Sequence, residues 1–591
     1  MKTSQFLSDL QITRNNGQLF LRWQEHDLPE DARLSIRRSI QPLNAGNIGN
    51  AVILADMLNP GSAADWWLDP ESFVTERDDS VRAEEIFAGN VADTGTRKNH
   101  PLKSFFPDDD VTGNPACSGL HVHTPEESGE FFFAVCLHRG TSGEVYSFLA
   151  SEHALHVEPG RINIFRISGD ISSGETAGLP VIVDLHGREG GIGVDARGNA
   201  LGTHLIFSDN TVAWREGIPF KFSITVTDTL DERKSPEKFI RLSIYDRVWT
   251  GRRLTPEESG DVRDYVPAIN TFFLGYHTNI ARSNSAPWIW DNYTEKLVLK
   301  IIDLVIENLQ ADPERIYLAG GSMGGTGAVQ LALHYPEKFA AAVAWVPVYS
   351  YTWEKTPGFP ELSPSIERMR CSIGQFSPAD KVISPDGKNL LEYGDGALRI
   401  SHREIDFPPL FATNGRCDLS IPWVNNPPFF RAANESCQAF RVIWNNGGHA
   451  MTREVPEVVT LAELLKYRRN EPFAAFSNSS DNRQYGNGDP ADGNLYGWIN
   501  RGLTAGCIRE DAACIEVEIT AGHEDMLFPV KCDVTIRRRR HFKFAPGTPL
   551  AAHAGQEQYS ARIDDDGVLT VKGVCFPRPG TIRLICRPDA G

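Results

Sequence analysis

The residues with the clearest chemistry are Gly320-Gly321-Ser322-Met323-Gly324, a G-x-S-x-G pattern. Among 51 glycines such a match can arise by chance, and a glycine-rich turn without chemistry is the plain alternative. The flanks make the match specific. Ile316 to Ala319 reads as a short strand, and a helix over Gly325 to His334 opens on small residues. A serine at a sharp strand-to-helix turn is held strained with its Oγ exposed, and the following helix N-terminus directs its dipole at a developing oxyanion. Gly320 and Gly324 remove Cβ atoms that would collide as the chain doubles back.

A serine hydroxyl needs a base, and with this elbow the partners follow in the order Ser, acid, His. The strand Pro409 to Thr413 runs into Asn414-Gly415-Arg416-Cys417-Asp418, and the strand Phe440 to Trp444 into Asn445-Asn446-Gly447-Gly448-His449. Ser322, Asp418 and His449 are thus expected as a catalytic triad, each just beyond a strand end; a turn Asp and a surface His are the plain alternatives. His402 and Asp406 precede a strand, His334 lies on the elbow helix, and Asp380 and Asp386 read as turn residues. The oxyanion hole is expected from the N–H of Met323 and from Gly187 or Arg188, in the His186-Gly187-Arg188-Glu189-Gly190-Gly191 loop after the apolar strand Leu179 to Leu185.

The elements that must position these residues fall into three segments. Residues 166–474 alternate strands and helices, with a helix over Asn292 to Gln310 marked by Leu297, Ile301, Leu304 and Val305, and a final helix over Val458 to Tyr467. That is an α/β layout on a mainly parallel sheet, with extra strands inserted over Asn210 to Thr250. Residues 1–165 read as a β-sandwich with strands at Gly17 to Trp23, Arg33 to Ile40 and Glu130 to Leu137, and Asp78 to Pro115 as an insertion. Residues 475–591 open on a Ser/Asn/Asp/Gly-rich linker, Ser477 to Asn494, and continue as a small β-sandwich.

Asp312-Pro313-Glu314-Arg315-Ile316-Tyr317 running into Gly-Gly-Ser-Met-Gly-Gly resembles the α/β-hydrolase esterases related to polyhydroxybutyrate depolymerases, feruloyl esterases and prolyl-oligopeptidase-like hydrolases. The resemblance covers residues 170–470 and implies a serine hydrolase, most often of carboxylic esters. Some feruloyl esterases and tannases join a Cys before the Asp to a Cys before the His; here Cys417 precedes Asp418 but Gly448 precedes His449, which leaves Cys417 free or paired with Cys437. The early Trp23 and the Phe131-Phe132-Phe133-Ala134-Val135 strand resemble a fibronectin type III sandwich. A prolyl-oligopeptidase-like peptidase and a non-catalytic binding protein on a hydrolase scaffold are the competing functions. The first would carry a β-propeller, for which 165 residues are too few at about 40 per blade; the second should have lost a triad member.

Trp345, Tyr349 and Trp423 lie near the catalytic loops and are the candidate substrate-binding aromatics, with Trp288 and Trp290 further off; buried packing is their plain alternative. Asp481, Asp489 and Asp492 could offer oxygens to calcium, but their spacing fits no EF-hand and a solvated linker suits them better. No metal and no cofactor is expected: there is no Rossmann fingerprint, no P-loop and no CxxC.

At 591 residues the chain has room for about two to four domains, and 41% hydrophobic against 23% charged residues is ordinary for a folded protein. The net charge of −18 repels phosphate backbones, which excludes nucleic acid as a main partner and makes Arg537 to Arg540 a strand feature rather than a binding patch. The apolar run Phe339 to Tyr349 is shorter than the ~20 residues of a membrane helix. Asp9 interrupts the apolar stretch Phe6, Leu7, Leu10, so no export signal is evident: the protein stays inside the cell, or a signal has been trimmed away. The ten cysteines decide neither compartment nor pairing.

Overall fold

The structure, a computed structural model, describes residues 5–15, 18–58, 60, 118–123, 125, 127–139, 144–158, 176–186, 203–205, 220–227, 237–246, 248–249, 268–269, 271–277, 290–351, 373, 382–384, 387–449 and 455–589. The central sheet is built from β1 (Val181–His186), β2 (Thr203–Leu205), β3 (Phe220–Thr227), β4 (Phe239–Tyr245), β5 (Ile316–Gly321), β6 (Ala341–Trp345), β7 (Leu410–Gly415), β8 (Phe440–Asn445) and β9 (Gly497–Ile499). Its order is β2-β3-β4-β1-β5-β6-β7-β8-β9. The six strands from β4 to β8 run parallel, and β2, β3 and β9 extend the two edges antiparallel. The class is α/β.

Alternate residues of each strand enter two different cores, as a strand period of two demands. Val181, Val183 and Leu185 join one core with Ile301, Val305, Leu331 and Phe430; Ile182, Tyr317, Val343 and Phe411 face the other with Leu464 and Trp498. Three helices matter to the site. Helix α1 (Tyr293–Leu309) is capped by Asn292, which accepts from the Glu295 N–H, and closes at Gln310 in the left-handed region. Helix α2 (Met323–His334) follows the elbow, and α3 (Asn426–Glu435) starts on two prolines tolerated in a first turn.

Several expectations change here. The extra strands expected within 210–250 include β3 and β4, and both belong to the central sheet, β4 as one of its parallel strands. The final helix shrinks to Leu461–Leu464: Thr460 caps its start by accepting from the Glu463 N–H, and beyond its end the Tyr317 hydroxyl donates to the Tyr467 carbonyl at 2.7 Å and Arg469 N–H turns to the Glu314 carbonyl. Helix α3, unforeseen, stacks Phe429 on Tyr349 at 4.3 Å.

The chain does not divide cleanly at 474. Phe473–Ser477 is already an edge strand of the C-terminal sheet, paired with Val530–Arg537, and the chain then returns to supply β9. Residues 478–496 are therefore a packed strap. The C-terminal sheet is one continuous eight-stranded antiparallel sheet whose first and last strands approach each other around a single core. A two-sheet sandwich was expected; bulges between Cys532 and Val534 and between Ala505 and Ile508 let one sheet curl instead. Arg537 is buried and Arg538 half-buried, Arg537 donating to the carbonyls of Arg403, Ser436 and Cys437 and Arg538 to those of Pro336 and Phe339.

Near the N-terminus, a three-stranded sheet (Leu7–Asn15, Gln18–Glu25, Ser118–His123) and a five-stranded one (Ala32–Ser39, Val52–Leu58, Gly129–Arg139, Ser147–Ala150, Leu155–Val157) share one core. Trp23, Leu21, Ile36, Phe133 and Val135 meet in it. The expected insertion, 78–115, lies outside the described residues.

Candidate active site

Ser322 stands between β5 and α2 at φ 55°, ψ −116°, a strained conformation for a residue with a Cβ. Its N–H donates to the Trp345 carbonyl at 2.7 Å, and its own carbonyl accepts from Thr326 N–H at 2.9 Å. The tight turn depends on missing side chains: a Cβ on Gly320 would lie 2.3 Å from the Gly324 carbonyl oxygen, and one on Gly324 only 1.8 Å from that of Leu185.

Asp418 and His449 come from the loops after β7 and β8. The loops are tied to each other beyond the strand ends, Arg416 N–H donating to the Asn445 carbonyl at 2.9 Å and Cys417 N–H to that of Gly447 at 3.0 Å. Asp418 is buried and both its oxygens are occupied. Oδ1 accepts the N–H groups of Ser420 (2.7 Å) and Ile421 (2.9 Å), and Oδ2 lies 2.7 Å from His449 Nδ1. His449 Nε2 is 2.8 Å from Ser322 Oγ. With Nδ1 protonated against the carboxylate, Nε2 is left with a lone pair aimed at the serine hydroxyl. Such a chain can move a proton off Oγ as a carbon–oxygen bond forms. Met323, the first residue of α2, has an N–H without an intrahelical acceptor, as first-turn amides do. Gly187 and Arg188 lie outside the described residues.

The three candidate aromatics part company. Trp345, at the C-terminal end of β6, is 43% exposed beside the elbow. Tyr349 and Trp423 are packed in the core and have no surface to give a substrate. The Tyr349 hydroxyl donates to Asn414 Oδ1 at 2.9 Å, and the Trp423 indole N–H to the Tyr485 carbonyl at 3.1 Å, so both shape the acid loop from beneath. Trp290 is likewise buried, and Trp288 lies outside the described residues.

Of the rival titratable groups, Asp406 pairs with Arg537, His402 with Glu404, and His334 sits between Glu295 Oε1 (2.8 Å) and the Tyr393 carbonyl (2.8 Å). Asp380 and Asp386 lie outside the described residues. Asp481 is buried, accepting from Trp498 Nε1 at 2.7 Å and facing His523 Nε2 at 3.0 Å, while Asp489 and Asp492 accept main-chain N–H groups of their own loop. Cys417 and Cys437 are both free thiols.

Two buried charged residues escaped the sequence reading. Asp246, just past β4, accepts from Thr271 N–H and Oγ1 and from Phe273 N–H, and so holds Phe272 and Phe273 at φ 52° and 58°. Burial pushes its carboxyl up to about 6, against the lowering effect of those hydrogen bonds. Phe273 in turn packs where a Cβ on Gly327 of α2 would be. Arg416, two residues before Asp418, is fully buried.

Residues 276–475, which hold Ser322, Asp418 and His449, match the Esterase family model. The chain is an enzyme of the esterase kind. No curated protein matches it. Among solved structures, an S-formylglutathione hydrolase from Agrobacterium tumefaciens is 15% identical, over 42% of this chain and 89% of its own, with a TM-score of 0.29. Esterase 2 of Thermogutta terrifontis is 12% identical over 52% and 90%, TM-score 0.25. A puromycin-hydrolysing peptidase of Mycobacterium tuberculosis is 13% identical over 57% and 44%, TM-score 0.28.

Proposed function

We propose that the chain is a serine carboxylic-ester hydrolase in which Ser322 is the nucleophile, His449 the general base and acid, and Asp418 the residue that orients His449. The observation that carries this reading is His449 spanning both partners, 2.8 Å to Ser322 Oγ and 2.7 Å to Asp418 Oδ2. Ser322 Oγ attacks the acyl carbon while its proton passes to His449 Nε2. The tetrahedral oxyanion is met by the Met323 N–H and a second N–H from the 187–188 loop. Collapse breaks the bond to the alcohol, which leaves with the His449 proton. A water then attacks the acyl-enzyme as it gives one proton to His449 Nε2; that proton passes to Ser322 Oγ as the acid departs, and the water's other hydrogen leaves on the acid.

The preferred substrates are short acyl or aromatic esters of the feruloyl type, free or carried on a polysaccharide or polyester; exposed Trp345 supports an aromatic group near the elbow. The scaffold is an α/β-hydrolase domain with a fibronectin III-like unit before it and a curled β-unit after it. Labelling with a fluorophosphonate, followed by peptide mapping, tests the assignment. Ser322 should carry the label, and Ser322→Ala should lose both label and turnover, by on the order of 10⁶ in rate. Label retained by a folded Ser322→Ala variant would end the proposal.

A further inference from the structure

The strap over residues 478–496 reads in the sequence as a linker, yet it surrounds the most deeply buried cation near the site. Arg416 donates through Nε to the Pro490 carbonyl (3.1 Å), through Nη1 to that of Asn494 (3.1 Å), and through Nη2 to those of Asp489 (3.2 Å), Pro490 (2.5 Å) and Asp492. One guanidinium thus fills a cage of four main-chain carbonyls, with the Trp423 ring 4.9 Å from its carbon. Burying a charge is costly unless its hydrogen bonds are met, and only a planar fork of five N–H groups can meet so many oxygens at once.

The strap is shaped to present those carbonyls. Its ends are tied by Asn494 N–H to the Gln484 carbonyl (2.7 Å) and by Gln484 N–H to Asn494 Oδ1 (2.8 Å). The side chains of Asp489 and Asp492 turn inward on main-chain N–H groups of Ala491 and Asn487. Gly493 sits at φ 89°, and a Cβ there would lie 2.6 Å from the Gly486 nitrogen. Two indoles grip the strap from the catalytic unit, Trp423 at the Tyr485 carbonyl and Trp444 at that of Asn494 (2.9 Å). On the other side of Arg416, its main-chain N–H joins the His449 loop at Asn445, and Asp418 follows two residues later.

We propose that Arg416 and its carbonyl cage are a positioning device for the catalytic acid, so that the strap leading to β9 is part of the catalytic machinery. The inference rests on Asp418 being the acid, as proposed above. Held from behind by the cage, the acid loop keeps Asp418 Oδ2 on His449; released, it lets the carboxylate drift, and a displacement near 1 Å costs up to about 100-fold in rate.

The test opens the cage from both sides, with Arg416→Met and Gly493→Ala, and keeps Asp418→Asn as reference. Fluorophosphonate titration counts competent serines, so turnover is expressed per titrated site. Both cage variants should lose on the order of 10- to 100-fold in kcat per site with little change in KM. The acid limb of kcat/KM should also move to lower pH, because a carboxylate drawn away from the imidazolium stabilises it less. Arg416→Lys should restore little, since a point charge cannot fill a planar four-oxygen cage. A purely structural arginine would reduce the number of titrated sites and leave turnover per site and the pH profile unchanged. That result, with Asp418→Asn crippled, overturns the inference alone; full turnover in Asp418→Asn overturns the acid assignment and the inference with it. Should Arg416→Met fail to fold, Gly493→Ala decides by the same criteria.

Discussion

The Ser322 N–H hangs from the carbonyl of Trp345 at 2.7 Å, so the main chain of the proposed nucleophile is fixed by the residue whose indole is exposed beside it. Backbone and side chain of Trp345 therefore do separable work, and mutation can remove the second without the first. Trp345→Ala should keep the elbow and its labelling by fluorophosphonate. It should lower kcat/KM for aromatic esters by roughly 10- to 100-fold and for acetyl esters by much less, as expected of an apolar contact worth about 1–3 kcal/mol. Equal losses on methyl ferulate and on p-nitrophenyl acetate would show that the ring serves the fold rather than the substrate.

The strand-to-helix turn at Ser322 and the loops that bring Asp418 and His449 to it were legible because each is local: an apolar strand, then the loop that follows it. What the sequence hid depends on distant partners. Tyr349 and Trp423 lie near the candidate loops in sequence, but Tyr349 stacks on Phe429 of a helix that opens on Asn426-Pro427-Pro428, and Trp423 reaches a carbonyl of the strap. Nothing in Asn414-Gly415-Arg416-Cys417-Asp418 reveals that the arginine's oxygen partners lie more than 70 positions on. The strap's glycine and aspartate content reads as solvated chain, whereas those residues make the tight turns that aim its carbonyls inward. The crossing of strands between units at Phe473–Ser477 and β9 was not readable, because the pairings that define it join residues far apart in the chain.

Asp246 makes stability depend on pH in a direction opposite to most carboxylates. Folded, it holds its proton up to about pH 6; unfolded, it releases it near its ordinary 3.8. The folded state therefore binds the extra proton between those values, and stability falls as pH rises through that window, by about 3 kcal/mol once Asp246 is ionised. Asp246→Asn can satisfy the same neighbours, its oxygen accepting from Thr271 and Phe273 N–H and its amide donating to Thr271 Oγ1. Denaturant unfolding should show the variant gaining on the wild type from pH 4 to pH 6, and a stability difference flat across that range would refute the prediction.

The N-terminal unit should fail in acid for the converse reason. His121 and His123 share the buried face of Ser118–His123, and His121 Nε2 and both nitrogens of His123 lack a hydrogen-bond partner among the described residues. Burial pushes them down to about 3 and about 4, with the neighbouring charges of His123 and Arg38 adding to the effect. The unfolded chain takes up these protons below its ordinary 6.5, so stability present at neutral pH is lost as pH falls, by about 2 kcal/mol per histidine at pH 5. Hydrogen exchange at pH 5 should open residues 118–137 before the central sheet. A His121→Leu, His123→Leu variant should resist that opening; opening to the same extent would locate the acid lability elsewhere.

Bond type separates the esterase reading from its peptidase rival. An alkoxide can leave a tetrahedral intermediate with little help, whereas an amine must be protonated as it departs, so an amidase has to hold His449 against the leaving nitrogen and grip the chain on both sides of the bond. His449 is only partly buried, its side chain 35% exposed, and its Nε2 is already committed to Ser322. The units beside the catalytic sheet are small β-structures: two sheets sharing one core near the N-terminus, and a curled eight-stranded sheet at the other end. Among the described residues nothing has the size of a propeller that would enclose a peptide. A matched pair, one acyl group carried as a p-nitrophenyl ester and as a p-nitroanilide, should therefore differ in kcat/KM by several orders of magnitude in favour of the ester. Comparable values, or a preference for a proline-containing peptide amide over methyl ferulate, would make the peptidase reading the better one.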